Sequence, residues 1–155
     1  MQRFMHHPIN EAWLATREEA VIDPDQPIID AHHHLFDRAG QTYLAEDLKS
    51  DIGPDLNVTA TVFVQARSSY HTDGTEALRP IGETEFAATV AENADLAGGP
   101  KFCAAIVGYA DLALGDAVRP ILEAHIAAGR NRFRGIRHIL AWDRDDRLLN
   151  PSYPT

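Results

Sequence analysis

Four short apolar runs, each parted from the next by a stretch with helical patterning, constrain this chain more than any other feature. They occupy residues 28–33, 59–66 (TATVFVQA), 102–109 (FCAAIVGY) and 133–140. Their β-branched and apolar content suits strands. Near-continuous apolar strands belong to parallel sheets that are covered on both faces or closed into a barrel. The intervening segments read as helices. Residues 44–52 form a short one closed by Gly53-Pro54. Residues 83–96 place Phe86 and Val90 on one face and stop at Gly98-Gly99-Pro100. Asp116 caps a third helix through residue 128, with Pro120 near its first turn and Gly129 at its end. Before the first strand, Asn10 caps a helix over 11–20 with Trp13 and Leu14 on its buried side, and DPDQP at 23–27 breaks it. Residues 67–80 make a long polar loop.

Strand and helix therefore alternate, and the strand starts fall roughly 30 to 40 residues apart, about the length of one unit of a (β/α)8 barrel. A doubly wound sheet is the alternative. It would carry a Gly-rich phosphate loop after the first strand, where this chain has His32-His33-His34, and neither GxGxxG nor a Walker pattern occurs. The expected fold is α/β, a partial (β/α)8 TIM barrel of about four parallel strands in sequence order with helices on the outer face. It spans 28–155 and follows a helical extension over 1–27.

Composition narrows the partners. Lys and Arg number 14 against 23 Asp and Glu, a formal charge of −9. Nucleic acids and anionic membranes demand a basic face, so neither is an expected partner. One cysteine, Cys103, excludes an internal disulfide and a cysteine-built zinc site. The N-terminal MQRFMHHPIN has no continuous apolar core of a signal peptide, and no run approaches the ~18 apolar residues of a membrane span, so the expected location is cytoplasmic.

Ile28–His33 and the two residues after it, IIDAHHHL, concentrate the chemistry. Alternate strand residues share a side, so Asp30, His32 and His34 are expected on one face and His33 on the other. The histidines sit at the C-terminal end of their strand, the active-site end of such barrels. Two imidazoles so spaced can reach one divalent ion, zinc first among the candidates.

IIDAHHHLFD at 28–37 resembles the first-strand signature of the amidohydrolase-related (amidohydrolase 2) barrel hydrolases, in the branch of sugar-acid and dicarboxylate lactonases. The resemblance continues through VFVQARS at 62–68, GETEF at 82–86, AAIVGYADL at 104–112 and RFRGIRH at 132–138. It implies hydrolysis at the strand C-termini, with His32 and His34 holding the metal. The other ligands and an aspartate general base would come from strands five, six and eight, beyond Thr155. A metal so held acidifies its water and polarises the scissile carbonyl. Metal-independent lactonases resemble the same branch, and there the two histidines would bind the substrate carboxylate or carbonyl. The implied substrate is a lactone of a small carboxylated or sugar-derived compound. The alternatives are non-oxidative decarboxylation of an aromatic acid on the same fold and a truncated, non-catalytic half-barrel. A chain of four strands is expected to be inactive alone and to self-associate through its open sheet edges.

Further candidates are fewer. Arg137 and His138 alternate along the fourth strand, so one of them is placed to bind an anionic substrate at the barrel mouth. Gln65 ends the second strand, where its amide could bind substrate. Arg67 and His71 read as loop-surface residues, Glu83 as a carboxylate favoured at a helix start, and Glu123 and His125 as facing solvent or a neighbouring helix. Cys103 reads as core, and His6 and His7 as terminal residues without a role.

Overall fold

All four apolar runs are strands in the computed structural model, which describes residues 10–17, 19–38, 40–140 and 143–145. His6, His7 and the tail from 146 onward lie outside the described residues. The elements in chain order are α1 (Glu11–Leu14), β1 (Ile28–His33), β2 (Phe36–Arg38), β3 (Gln41–Tyr43), α2 (Ala45–Ile52) and β4 (Val58–Val64). After these come α3 (Ile81–Ala97), β5 (Lys101–Gly108), α4 (Arg119–Ala128) and β6 (Phe133–Ile136). Short 3-10 helices lie at Glu76–Leu78 and Leu112–Val118. By contacts, 24–138 forms one unit, and 10–23 with 139–145 belongs to another. Among the described residues, no helix is long and apolar enough to cross a membrane.

Within 24–138 the main sheet has the order β1-β4-β5-β6 and every pairing is parallel. One of its faces is packed. Phe63, Phe102, Cys103 and Ile106 meet Leu48 of α2 and Ala87, Ala88 and Ala91 of α3 in a single cluster. The three alanines bring α3 close against the strands. Phe133 of β6 stacks on the His125 ring of α4 at 5.1 Å. Phe63, Leu35 and Ile106 are fully buried, and each contributes about 2 kcal/mol by leaving water. On the other face Ala60, Val62, Ala105 and Val107 are half-buried, and Ile29, in register with Ala60, is 65% exposed.

Local chemistry sets the helix ends. The Asp47 carboxylate accepts the Leu44 N–H at 2.8 Å at the start of α2. Gly98 takes a left-handed φ of 69° after α3. Pro120 lies in the first turn of α4, where no N–H is missed.

Several expectations are corrected. The first helix covers only Glu11–Leu14, and Trp13 is 69% exposed rather than buried. Asp116 caps nothing at the third helix. Asp111 instead accepts the Ala113 N–H at 2.9 Å and opens a 3-10 segment that leads into α4. The fourth strand ends at Ile136, not at residue 140. The β2–β3 hairpin was not foreseen, because two three-residue strands are too short to show a period. Its local signals are Gly40, at φ 85°, and the stacked Phe36 and Tyr43 rings, 6.2 Å apart.

Candidate functional site

At the C-terminal end of β1 the chain puts three consecutive imidazoles into two environments. The Nε2 atoms of His32 and His34 lie 3.3 Å apart and their rings meet edge to face at 4.9 Å. His33 turns to the packed side, where the Thr61 hydroxyl lies 2.8 Å from its Nε2. That hydroxyl also accepts the Cys103 N–H at 3.0 Å. Burial drives the His33 pKa down to about 4 and the Cys103 thiol up to about 12. Cys103 is thus an inert core residue, as its sequence setting suggested.

Asp30 does not join the histidine pair. It is in register with the buried Thr61, and the pairing of β1 with β4 slips between Asp30 and His33. The slip breaks the alternation that would have aligned residues 30, 32 and 34. The Asp30 carboxylate instead accepts the His32 N–H at 3.0 Å.

The tautomer of His34 follows from its other contact. The Val64 carbonyl accepts from His34 Nδ1 at 2.8 Å, so in the neutral ring Nε2 carries the lone pair and faces His32. Burial keeps the His34 pKa below its usual value, reinforced by nearby Arg137 and opposed by the Val64 bond. The spacing fits a metal: two ligands of a tetrahedral zinc site with ~2.0 to 2.1 Å bonds stand about 3.3 Å apart. Among the described residues no cluster of three or more His, Cys, Asp or Glu side chains completes such a site. They offer two imidazoles that could hold an ion.

Beside the pair, residues 64–68 at the end of β4 are held from four directions. Val64 O receives His34, Gln65 O receives Arg137 Nη2 at 2.7 Å, and Ala66 O receives Arg38. The N–H groups of Ala66 and Ser68 both donate to Glu83 Oε1, each at 2.9 Å. Ser68 Oγ also exchanges hydrogen bonds with the backbone of Asp37.

Of the residues singled out from the sequence, the structure brings together His32, His34, Gln65 and Arg137. The Gln65 side chain is buried, and its Oε1 has no partner among the described residues. His138 goes elsewhere: its Nδ1 accepts the Leu112 N–H at 2.9 Å and stands 3.7 Å from Asp111. His71 pairs with Glu85 at 2.9 Å, and Arg67 holds a left-handed φ of 59°. Glu123 pairs with Arg119 on the exposed face of α4. His125, expected to face solvent or a neighbouring helix, faces the helix: it is fully buried, with Thr84 Oγ1 of α3 on Nδ1 and Tyr109 O on Nε2, both at 2.8 Å, and its ring against Phe133 of β6. Glu83 is the residue that sequence reasoning undervalued. It is 1% exposed, and burial lifts its pKa to about 7 despite the two N–H bonds and the nearby Arg38 and Arg137. The available signal was a carboxylate at a helix start directly after a strand-end loop.

Comparison of the chain with family models, with curated proteins and with solved structures finds no match.

Proposed function

We propose that this chain carries the first half of the mouth of an amidohydrolase-type (β/α)8 barrel, whose activity is hydrolysis of a lactone of a small carboxylated or sugar-derived compound. One observation supports this reading above the rest. Two imidazole Nε2 atoms stand at the separation of two zinc ligands, at the C-terminal end of the first strand of a parallel sheet, with the opposite nitrogen of His34 fixed by a carbonyl. His32 and His34 would hold the ion. When bound, it would acidify a water and polarise the carbonyl of the ester. Arg137, permanently charged and next to His34, gives the mouth a cationic group for a carboxylated substrate. The third ligand and the general base lie outside the described residues.

Zinc titration by calorimetry, with metal analysis of the dialysed protein, tests the pair. His32→Ala is expected to abolish zinc retention, whereas His33→Gln, on the opposite side, leaves it intact. Equal loss in both variants refutes the assignment. Turnover of aldonolactones or dicarboxylate lactones that survives a strong chelator, in protein free of metal, would make the two histidines substrate ligands instead.

A further inference from the structure

We propose that Glu83 is the positioning residue of this site, its carboxylate fixing the 64–68 backbone from which His34 and Arg137 are hung. A carboxylate serves a helix N-terminus equally well in water. Glu83 instead lies buried in the first turn of α3 and bonds not to its own helix but to the N–H groups of Ala66 and Ser68. The segment it grips is one that would not hold its shape unaided. Arg67 and Ser69 sit at left-handed φ values of 59° and 56°, and each such non-glycine residue costs roughly 1 kcal/mol or more. The contact between this loop and α3 is close: a Cβ on Gly82 would fall 2.5 Å from Ser69 O. On the far side of the gripped peptides, three successive carbonyls hold His34, Arg137 and Arg38 in that order.

The charges around Glu83 fit this role. Arg38 from β2 and Arg137 from the end of β6 act on it, with the Tyr70 hydroxyl of the loop nearby. Burial raises the pKa of this carboxyl, so its ionised form opposes folding at neutral pH. Stability alone would be served better by an uncharged residue. What the carboxyl supplies is a fixed acceptor for two N–H groups, together with a charge opposite to the two guanidinium groups hung from the same strand end.

The importance of that placement for zinc rests on the reading of His32 and His34 as ligands; the placement itself does not. The test uses the whole chain in 1H–15N spectra, following solvent exchange of the His34 Nδ1–H and the Arg137 guanidinium, with zinc affinity measured in parallel. Glu83→Ala is expected to speed both exchanges at least tenfold and to weaken zinc about tenfold, with the far-UV circular dichroism unchanged. Glu83→Gln keeps the Oε1 acceptor and is expected to restore both within about threefold. If Glu83→Ala does not fold, Glu83→Asp, one methylene short of the two N–H groups, is expected to show the same defects. Unchanged His34 and Arg137 exchange in a folded Glu83→Ala or Glu83→Asp protein overturns the proposal. So does a Glu83→Gln protein as impaired as the alanine variant. Absence of zinc binding in the wild type, with the exchange effects present, instead defeats the ligand reading and leaves the positioning role standing.

Discussion

On the packed face of the sheet, His33 and His125 are each matched to a threonine hydroxyl at 2.8 Å and closed off from water. On the bare face, His32 and His34 are matched to each other at 3.3 Å and remain accessible. The same side chain serves the core in one case and a candidate reaction site in the other, and His33 has a site histidine on either side in sequence. Surroundings decide the use. A hydroxyl partner under a helix holds an imidazole in the core, whereas on the bare face the Nε2 lone pair of His34, fixed by the Val64 carbonyl on its other nitrogen, meets only a second imidazole beside a guanidinium.

The sharpest way to break this contrast is to delete one histidine from each face. His125→Ala is expected to cost about 4 kcal/mol, because it opens a cavity beside Phe133 and strands the Thr84 hydroxyl and the Tyr109 carbonyl. His32→Ala is expected to change stability by no more than about 0.5 kcal/mol. Urea unfolding of both variants measures the difference, and comparable losses would show that the bare-face pair is structural as well.

Acid titration sharpens the comparison further. The His33 pKa in the fold, about 4, lies below its ordinary 6.5, so its neutral form favours the native state. That contribution is whole above pH 6.5 and drains as pH falls toward 4, about 3 kcal/mol at the limit. Glu83 runs the other way. Its folded value, about 7, lies above the ordinary 4.5, so its contribution is whole below pH 4.5 and is lost as pH rises through 7. Between pH 4.5 and 6.5 Glu83 offsets His33, so the rise of wild-type stability with pH that the other imidazoles whose pKa burial lowers, His34 and His125, supply should be shallower there than it would be without this carboxyl. Glu83→Gln removes one side of the balance. Its stability is expected to climb more steeply with pH across that window, measured by unfolding at half-unit steps. A profile no steeper than the wild type would contradict the opposition.

These residues also show how far the sequence was legible. The runs that became β4 and β5 declared themselves because a parallel strand covered by helices is largely apolar, whereas β1 was marked only by Ile28 and Ile29 ahead of its polar end. The histidine pair was visible because strand period and strand end coincide at residues 32 and 34. Asp30 was misplaced for a physical reason: period-2 reasoning assumes an unbroken ladder, and the register slip after Asp30 has no signature in residue type. His125 and Glu83 stayed hidden because each is defined by partners distant in the chain. Thr84 and Tyr109 hold the first, and Ala66 and Ser68 the second. A polar residue on a helix gives no hint that its partner is a backbone group on the next layer.

The smallest expected effect concerns the bare face as a surface. Ile29→Lys puts a charge among Ala60, Val62 and their neighbours with little change in monomer stability, within about 0.5 kcal/mol. If copies of the chain associate through this face and the open edge of β1, sedimentation velocity should show the variant shifted toward the monomer. No shift would assign any association to another surface.

The all-parallel order β1-β4-β5-β6 also bears on how the chain reaches this state in time. No two neighbours in that sheet are joined by a hairpin. β1 can meet β4 only after the chain between them, with its own small hairpin and α2, has been gathered in. The β2–β3 ribbon closes across a two-residue connection and can form within roughly 1 to 10 μs. Each rung of the main ladder must wait for a long loop to close, which is why topologies rich in distant pairings fold slowly. Until it does, β1 is a bare strand carrying its histidines in water, and newly made chains spend their most vulnerable interval with that segment uncovered.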